Sequence, residues 1–272
     1  MFTNNPFEQL AGIIPPDMMQ AYVILMVIFV IGGTIIDMMH KKSAKYFFQN
    51  SEKAKKSATR TVSGGEKASL AINTLTSEVL TSSEFANTKR RISHLLTMYG
   101  FILFVVTTAI LIFGENASDL TATLWHIGAL MLCVGGYWFW FDIRVDVSAE
   151  GKKWYQISPR GDMFILSLLA TCTFALLWSF TGSMLLFVLF IVSSTILFGG
   201  VIWSKFAHMF FKPAAAFQKK VTKADGSREN LPGKFDLTSA AVQEQFPDIP
   251  EYMGKNPEDM GLGIKRESPR HY

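Results

Sequence analysis

The sequence predicts an all-α, polytopic membrane fold: a five-helix transmembrane bundle with the N-terminus outside, the C-terminus cytoplasmic and an extended cytoplasmic C-terminal tail. Three observations predict it. Several runs of about 20 nearly uncharged residues are long enough to cross a hydrocarbon layer about 30 Å thick. Charged residues are only 18% of the 272, against roughly 25% in soluble chains, and the mean hydropathy is +0.24. The basic residues, finally, fall only in alternate connections between the runs.

Residues 1–17 form a short outer segment without Lys or Arg, and the first span runs from Met18 to Met39. It is retained rather than cleaved, because nothing basic precedes it and no small-residue cleavage pattern follows. The connection 40–91 opens with a basic run that includes Lys41, Lys42 and Lys45, breaks at Gly64-Gly65, and continues with Ile72, Leu75, Val79 and Leu80 at helical spacing. That pattern suits a surface helix resting on the bundle or on lipid headgroups, or a docking helix for a soluble subunit. The second span is Ile92–Phe113, the third Leu120–Phe141, the fourth Met163–Phe180, and the fifth Met184 to about Phe211. A tight polar break at Thr181-Gly182-Ser183 makes the last two a helical hairpin, and four spans is the alternative count. The tail, 212–272, is rich in proline, yet carries Phe235, Leu237, Phe246, Ile249, Tyr252, Met253, Met260, Leu262 and Ile264. Such apolar anchors on an extended chain suit a segment that orders on another protein's surface.

Orientation follows from charge. Residues 1–17 and the turns 114–119 and 181–183 contain no Lys or Arg, so all 26 lie on the other side, which the positive-inside rule makes cytoplasmic. The isoelectric point near 9.0 is thereby explained by basic loops at a membrane lipid surface, and no nucleic-acid partner is needed.

Within the spans few residues carry chemistry. Cys133 and Cys172 lie near the middle of the third and fourth spans and read as small apolar packing residues; two cysteines cannot supply the four thiolates of an ordinary iron-sulfur cluster. His94, His208 and His40 share the cytoplasmic level. A b-type haem needs two axial ligands at one depth, so His94 and His208 are the candidate pair, with Tyr99, Phe101, Phe206 and Phe210 nearby and His40 as a substitute. Helix-end capping is the plainer role for all three. His126 has no other histidine in the outer half, which favours a hydrogen bond to a neighbouring helix. Asp37, three residues before His40, and Lys205 are candidates for a proton relay to a bound quinone; a snorkelling carboxylate is the plainer reading of Asp37. Ion-coupled transport is a poor fit, because the spans lack several buried charges and an internal repeat.

The stretch EFANTKRRISHLLTMYGFILFVVTTAILIF, the run GGYWFWFDIRVDV, the segment WSKFAHMFFKPAAAF and the ending EYMGKNPEDMGLGIKRESPRHY together resemble the membrane anchor subunit of adenylylsulfate reductase from sulfur-oxidising bacteria, over most of the chain. More broadly, the second and fifth spans resemble cytochrome b subunits related to the nitrate reductase gamma subunit and to membrane subunits of heterodisulfide-reductase-like complexes. The resemblance implies a subunit of the bacterial cytoplasmic (inner) membrane that is not catalytic alone. Its partners would be the soluble alpha and beta subunits of adenylylsulfate reductase, which carry FAD and iron-sulfur clusters, with quinone as electron acceptor. By position it implies haem b held by His94 and His208. A non-redox scaffold for a soluble enzyme, and a cytochrome b subunit of a different respiratory oxidoreductase, remain the alternatives.

Overall fold

The structure, a computed structural model, describes residues 2–231 except 11, 84, 86, 115, 116, 148, 149 and 230, and beyond them only Ala240 and Glu244. Among these every regular element is helical. The chain divides into two compact units. One joins Met1–Ser43 to Asn87–Phe211, and the other joins Ala44–Ala86 to the stretch from Lys212 onward.

The first unit is the apolar bundle. A 3-10 turn, Pro6–Leu10, precedes α1 (Pro16–Lys41), which starts on a proline, where a missing amide costs nothing, and stops at Lys42 in the left-handed region (φ 53°). α4 (Thr88–Phe113) is capped by Asn87, whose side chain accepts from Arg90 N at 3.2 Å. Ser118 caps α5 (Asp119–Trp138), which a π-helical turn, Phe139–Ile143, prolongs. α6 (Pro159–Thr181) again begins on proline and ends at Gly182 (φ 66°), where the chain reverses into α7 (Met184–Gly199). α1, α4, α5 with its extension, and α6 are long and apolar enough to cross a membrane; α7 is equally apolar but has only 16 residues.

α4 runs antiparallel to both α1 and α5, as their cross-links show. Gln20 near the start of α1 donates to the Ile112 carbonyl near the end of α4. Ser93 at the start of α4 donates to the Gly135 carbonyl near the end of α5 at 2.8 Å, and Trp125 Nε1 donates to Thr108 Oγ1 at 2.8 Å. Between these ties α4 and α5 approach backbone to backbone. A Cβ on Gly128 would lie 2.7 Å from Phe104 N, and one on Gly100 2.9 Å from the Gly128 carbonyl oxygen, so both positions need glycine for lack of space. α1 exposes apolar residues around most of its circumference and buries only Met19, Met26, Gly33 and Asp37, a single stripe that meets the bundle where Gly33 touches Val201. The 3-10 turn Pro6–Leu10 plugs the end of the bundle where α1 begins, Phe7 lying edge-on to Trp125 (5.9 Å) and Trp178 (5.4 Å).

The fifth apolar run departs from expectation. Its helix stops at Gly199; Gly200 and a 3-10 turn, Val201–Trp203, follow, and a new helix, α8 (His208–Ala224), begins at His208. The break falls on the Gly199-Gly200 pair, where helix propensity is low, although the pairs Gly32-Gly33 and Gly135-Gly136 are carried within α1 and α5. The tail also differs at its start, because 213–224 belong to α8 rather than to an extended chain. Pro213 sits near the helix start, and the alanines and lysines after it are strong helix formers. The proline-spaced anchors from Phe235 to Ile264 lie outside the described residues.

The second unit contains α2 (Ser43–Ser57), where the sequence shows only a basic run, and α3 (Gly64–Asn73) prolonged by a π-helix, Thr74–Leu80. Ser63 caps α3 by accepting from Glu66 N. Within this unit Lys220 of α8 ties down the π-helical region, reaching Asn73 Oδ1 (2.7 Å), Ser77 Oγ (3.3 Å) and Glu78 Oε1 (2.9 Å). Thr59 N and Arg60 N both donate to the Asp225 carbonyl. Arg60 also grips Glu66 with two guanidinium nitrogens, and this hydrogen-bonded pairing holds the Glu66 carboxyl below its ordinary range.

Two outcomes follow. Gly128→Val should cost roughly 1–3 kcal/mol, because its Cβ meets backbone that no rotamer change can move, and the thermal midpoint in detergent should drop by several degrees. Glu66, with its folded pKa lowered, contributes stability that is present above the unfolded glutamate value of about 4.3 and lost as pH falls through the folded value. An NMR carboxyl titration should therefore give Glu66 a midpoint below that of ordinary glutamate, and Arg60→Gln should return it to normal.

Candidate functional site

At the basic end of the first unit five elements bring their polar residues to one level: the last turn of α1, the first turns of α4, the π-helical end of α5, the start of α6 and the segment after α7. Asp37 is 2% exposed, and a buried carboxylate requires a partner. It has one in Lys41, one turn on, at 2.6 Å. The ion pair of Asp37 is thus with Lys41, whereas His40, the relay partner suggested by spacing, is exposed on α1. Lys205 is exposed beside Phe206.

His94 is half-buried in the second turn of α4, and His208 is half-buried as the first residue of α8. The break after Gly199 therefore places His208 in a separate short helix rather than within a spanning one. Its Nδ1 lies against the Lys205 carbonyl and its ring stands edge-on to Phe164 at 5.6 Å. His94 and Phe101 are seven residues apart and so share a face of α4. Phe101 meets Phe206 at 6.2 Å, so the link between the two histidine segments runs through these rings. Phe206, 2% exposed, is the centre of the cluster: Phe164 lies at 5.6 Å, Phe198 at 6.0 Å and Phe210 at 6.4 Å.

Set against a haem, His208 has one feature of an axial ligand. An imidazole whose Nδ1–H is held by a backbone carbonyl presents Nε2 as a lone-pair donor, the usual arrangement of a metal-ligating histidine. Among the described residues no three His, Cys, Asp or Glu side chains gather as a metal-holding group.

Sequence reasoning missed the most strongly bonded residue at this end. Arg144, fully buried, lies where α5 ends. Its Nη2 meets Asp162 Oδ2 at 2.6 Å and donates to the Gln156 carbonyl at 2.6 Å, its Nη1 donates to the Lys153 carbonyl at 3.0 Å, and its guanidinium lies 4.0 Å over the Trp140 ring. Asp162 also accepts from Ser158 N at 2.7 Å, in the first turn of α6, where a carboxylate suits the helix dipole. The pair thus latches the α5–α6 connection onto the bundle. Counted by position, Arg144 is only one more basic residue flanking a span, and nothing in the 18-residue spacing announces its partner.

At the opposite end His126 is 1% exposed. One ring nitrogen lies 2.8 Å from the Ala122 carbonyl and the other 3.2 Å from Ser179 Oγ on α6. This is the interhelix hydrogen bond expected from the absence of a second outer histidine.

No protein family, curated protein or solved structure matches this chain.

The latch has a measurable weight. Asp162→Leu leaves the Arg144 charge buried without its counter-ion and should cost about 3–5 kcal/mol. Arg144→Met with Asp162→Leu should recover most of that loss, read as the thermal midpoint and monodispersity of the purified chain.

Proposed function

We propose that this chain is a membrane anchor and electron-transfer subunit: it holds a soluble flavin and iron-sulfur enzyme of the adenylylsulfate reductase type at the cytoplasmic face of a bacterial inner membrane, and electrons from sulfite oxidation pass to quinone. In this orientation the basic connections, α2, α3 and α8 face the cytoplasm and the turn Pro6–Leu10 faces out. The enzyme's redox groups belong to the alpha and beta partners.

The observation that carries the reading is the second unit. Its helical stretch from Gly64 to Leu80 uses its polar edge internally, through Asn73, Ser77 and Glu78 to Lys220, while Ile72, Leu75 and Leu80 are exposed. An anchor needs this combination of apolar helices in lipid and a structured, amphipathic surface outside them. A second reading, a cytochrome b subunit of another respiratory oxidoreductase, is favoured by one feature, the Nδ1 of His208 fixed on the Lys205 carbonyl. In that reading His94 and His208 would hold haem b, which would supply one-electron transfer between the partner and quinone.

The test is purification of the tagged chain from its native membranes in mild detergent, identifying co-purifying proteins and recording flavin and haem spectra of the same sample. A flavin and iron-sulfur adenylylsulfate reductase is expected with it. Ile72→Asp with Leu75→Asp should lower its recovery roughly tenfold or more, the equivalent of about 1.4 kcal/mol of lost docking. Truncation after Leu231 leaves the ties of α8 intact and should weaken recovery if the tail shares in docking. A chain that elutes alone overturns the anchor reading. A b-type spectrum abolished by His208→Ala, with a different oxidoreductase attached, would install the second reading; a partner retained without quinone reduction would leave a plain scaffold.

A further inference from the structure

In the interior of the bundle, away from the polar end, the two cysteines face each other. Cys133 on α5 and Cys172 on α6 have their sulfurs 3.2 Å apart. Each stands near the midpoint of its helix, so the pair sits at mid-depth in the bundle. The helices are close there for a separate reason: three residues beyond Cys133, Gly136 packs against Leu169, and a Cβ added to that glycine would lie 2.7 Å from the leucine Cδ2. Closing the pair requires the sulfurs to approach by about 1.2 Å, to the ~2.05 Å of a disulfide, a shift within reach of side-chain torsions between two helices already in contact.

The surroundings differ for the two thiols. Cys172 is fully buried, whereas Cys133 is half-buried beside Val134 and Tyr137, which are exposed on the outer surface of α5. Thr173 Oγ1 lies 3.8 Å from Cys133 Sγ and 2.9 Å from the Tyr137 hydroxyl, forming a short polar file from the sulfur to that surface. A reagent dissolved in lipid thus meets Cys133 first and reaches Cys172 only through it.

We propose that Cys133 and Cys172 are a redox-active dithiol inside the membrane, closed to a disulfide by a lipid-soluble quinone. Both S–H bonds break and one S–S bond forms. The two electrons and two protons released reduce the quinone to quinol, its two carbonyl oxygens becoming hydroxyls. Closure staples α5 to α6 at mid-depth, and a thiol reductant reverses it. This inference is independent of the anchor reading, since it uses no residue of the docking surface.

The test exploits the fact that these are the chain's only two cysteines. The full chain, reduced and reconstituted in lipid nanodiscs, is treated with decylubiquinone, denatured, and tagged with a maleimide mass label. Tag number should fall from two to zero, with one quinol formed per chain and the α5 and α6 peptides joined in a non-reducing digest; phosphine reduction should restore two tags. Cys133→Ser should leave Cys172 taggable after the same treatment. Two tags remaining on the wild type would overturn the proposal. So would closure by diamide but not by the quinone, or a disulfide that joins two chains.

Discussion

Where α4 and α5 cross at Gly100 and Gly128, two backbones touch without side chains between them, and the bundle is organised around that contact. Lipid gives helices no hydrophobic reason to associate, so close packing and interhelix hydrogen bonds have to supply it. The glycine crossing aligns Ser93 with the Gly135 carbonyl at one end and Trp125 with Thr108 at the other. Trp125, once set, packs against Phe104 at 5.2 Å and receives Phe7 from the N-terminal turn, and Phe7 in turn touches Trp178 on α6. Trp178 stacks on Phe190 of α7 at 5.9 Å. A run of aromatic contacts thus carries the geometry of one small-residue crossing to α6, α7 and the N-terminal plug.

How much of this was legible depended on what kind of signal each feature leaves. Spans leave a strong one, because about 20 apolar residues have few other uses, and the helices extend only a few residues past the apolar runs, to Pro16, Thr88 and Pro159. Continuity leaves a weak one. ILFGGVIWSKFAHMFF stays largely apolar across the break after Gly199, so hydropathy cannot separate one long helix from a helix, a turn and a second helix. Glycines announce close contact but not the partner, and only the fold shows that Gly33 meets Val201 while Gly136 meets Leu169. The Arg144–Asp162 pair left no signal, since each residue looks like an ordinary charge at a helix end.

The candidate site shows the same division. The segments that carry His94 and His208 are linked by the contact of Phe101 with Phe206. What spacing could not convey is the ring cluster centred on Phe206, whose member Phe164 stands edge-on to His208. The charges there are also satisfied locally, Asp37 by Lys41 and Arg144 by Asp162, which rigidifies this end of the bundle.

The length of α7 bears on the lipid rather than on the protein. Its 16 residues give about 24 Å of helix, several ångströms less than a typical hydrocarbon core of about 30 Å, while α6 beside it has 23 residues. A hydrocarbon layer of typical thickness would have to thin by several ångströms for α7 to cross it, at a fraction of a kcal/mol per ångström. The two arms of the α6–α7 hairpin would therefore match layers of different thickness, α6 a typical one and α7 a thinner one.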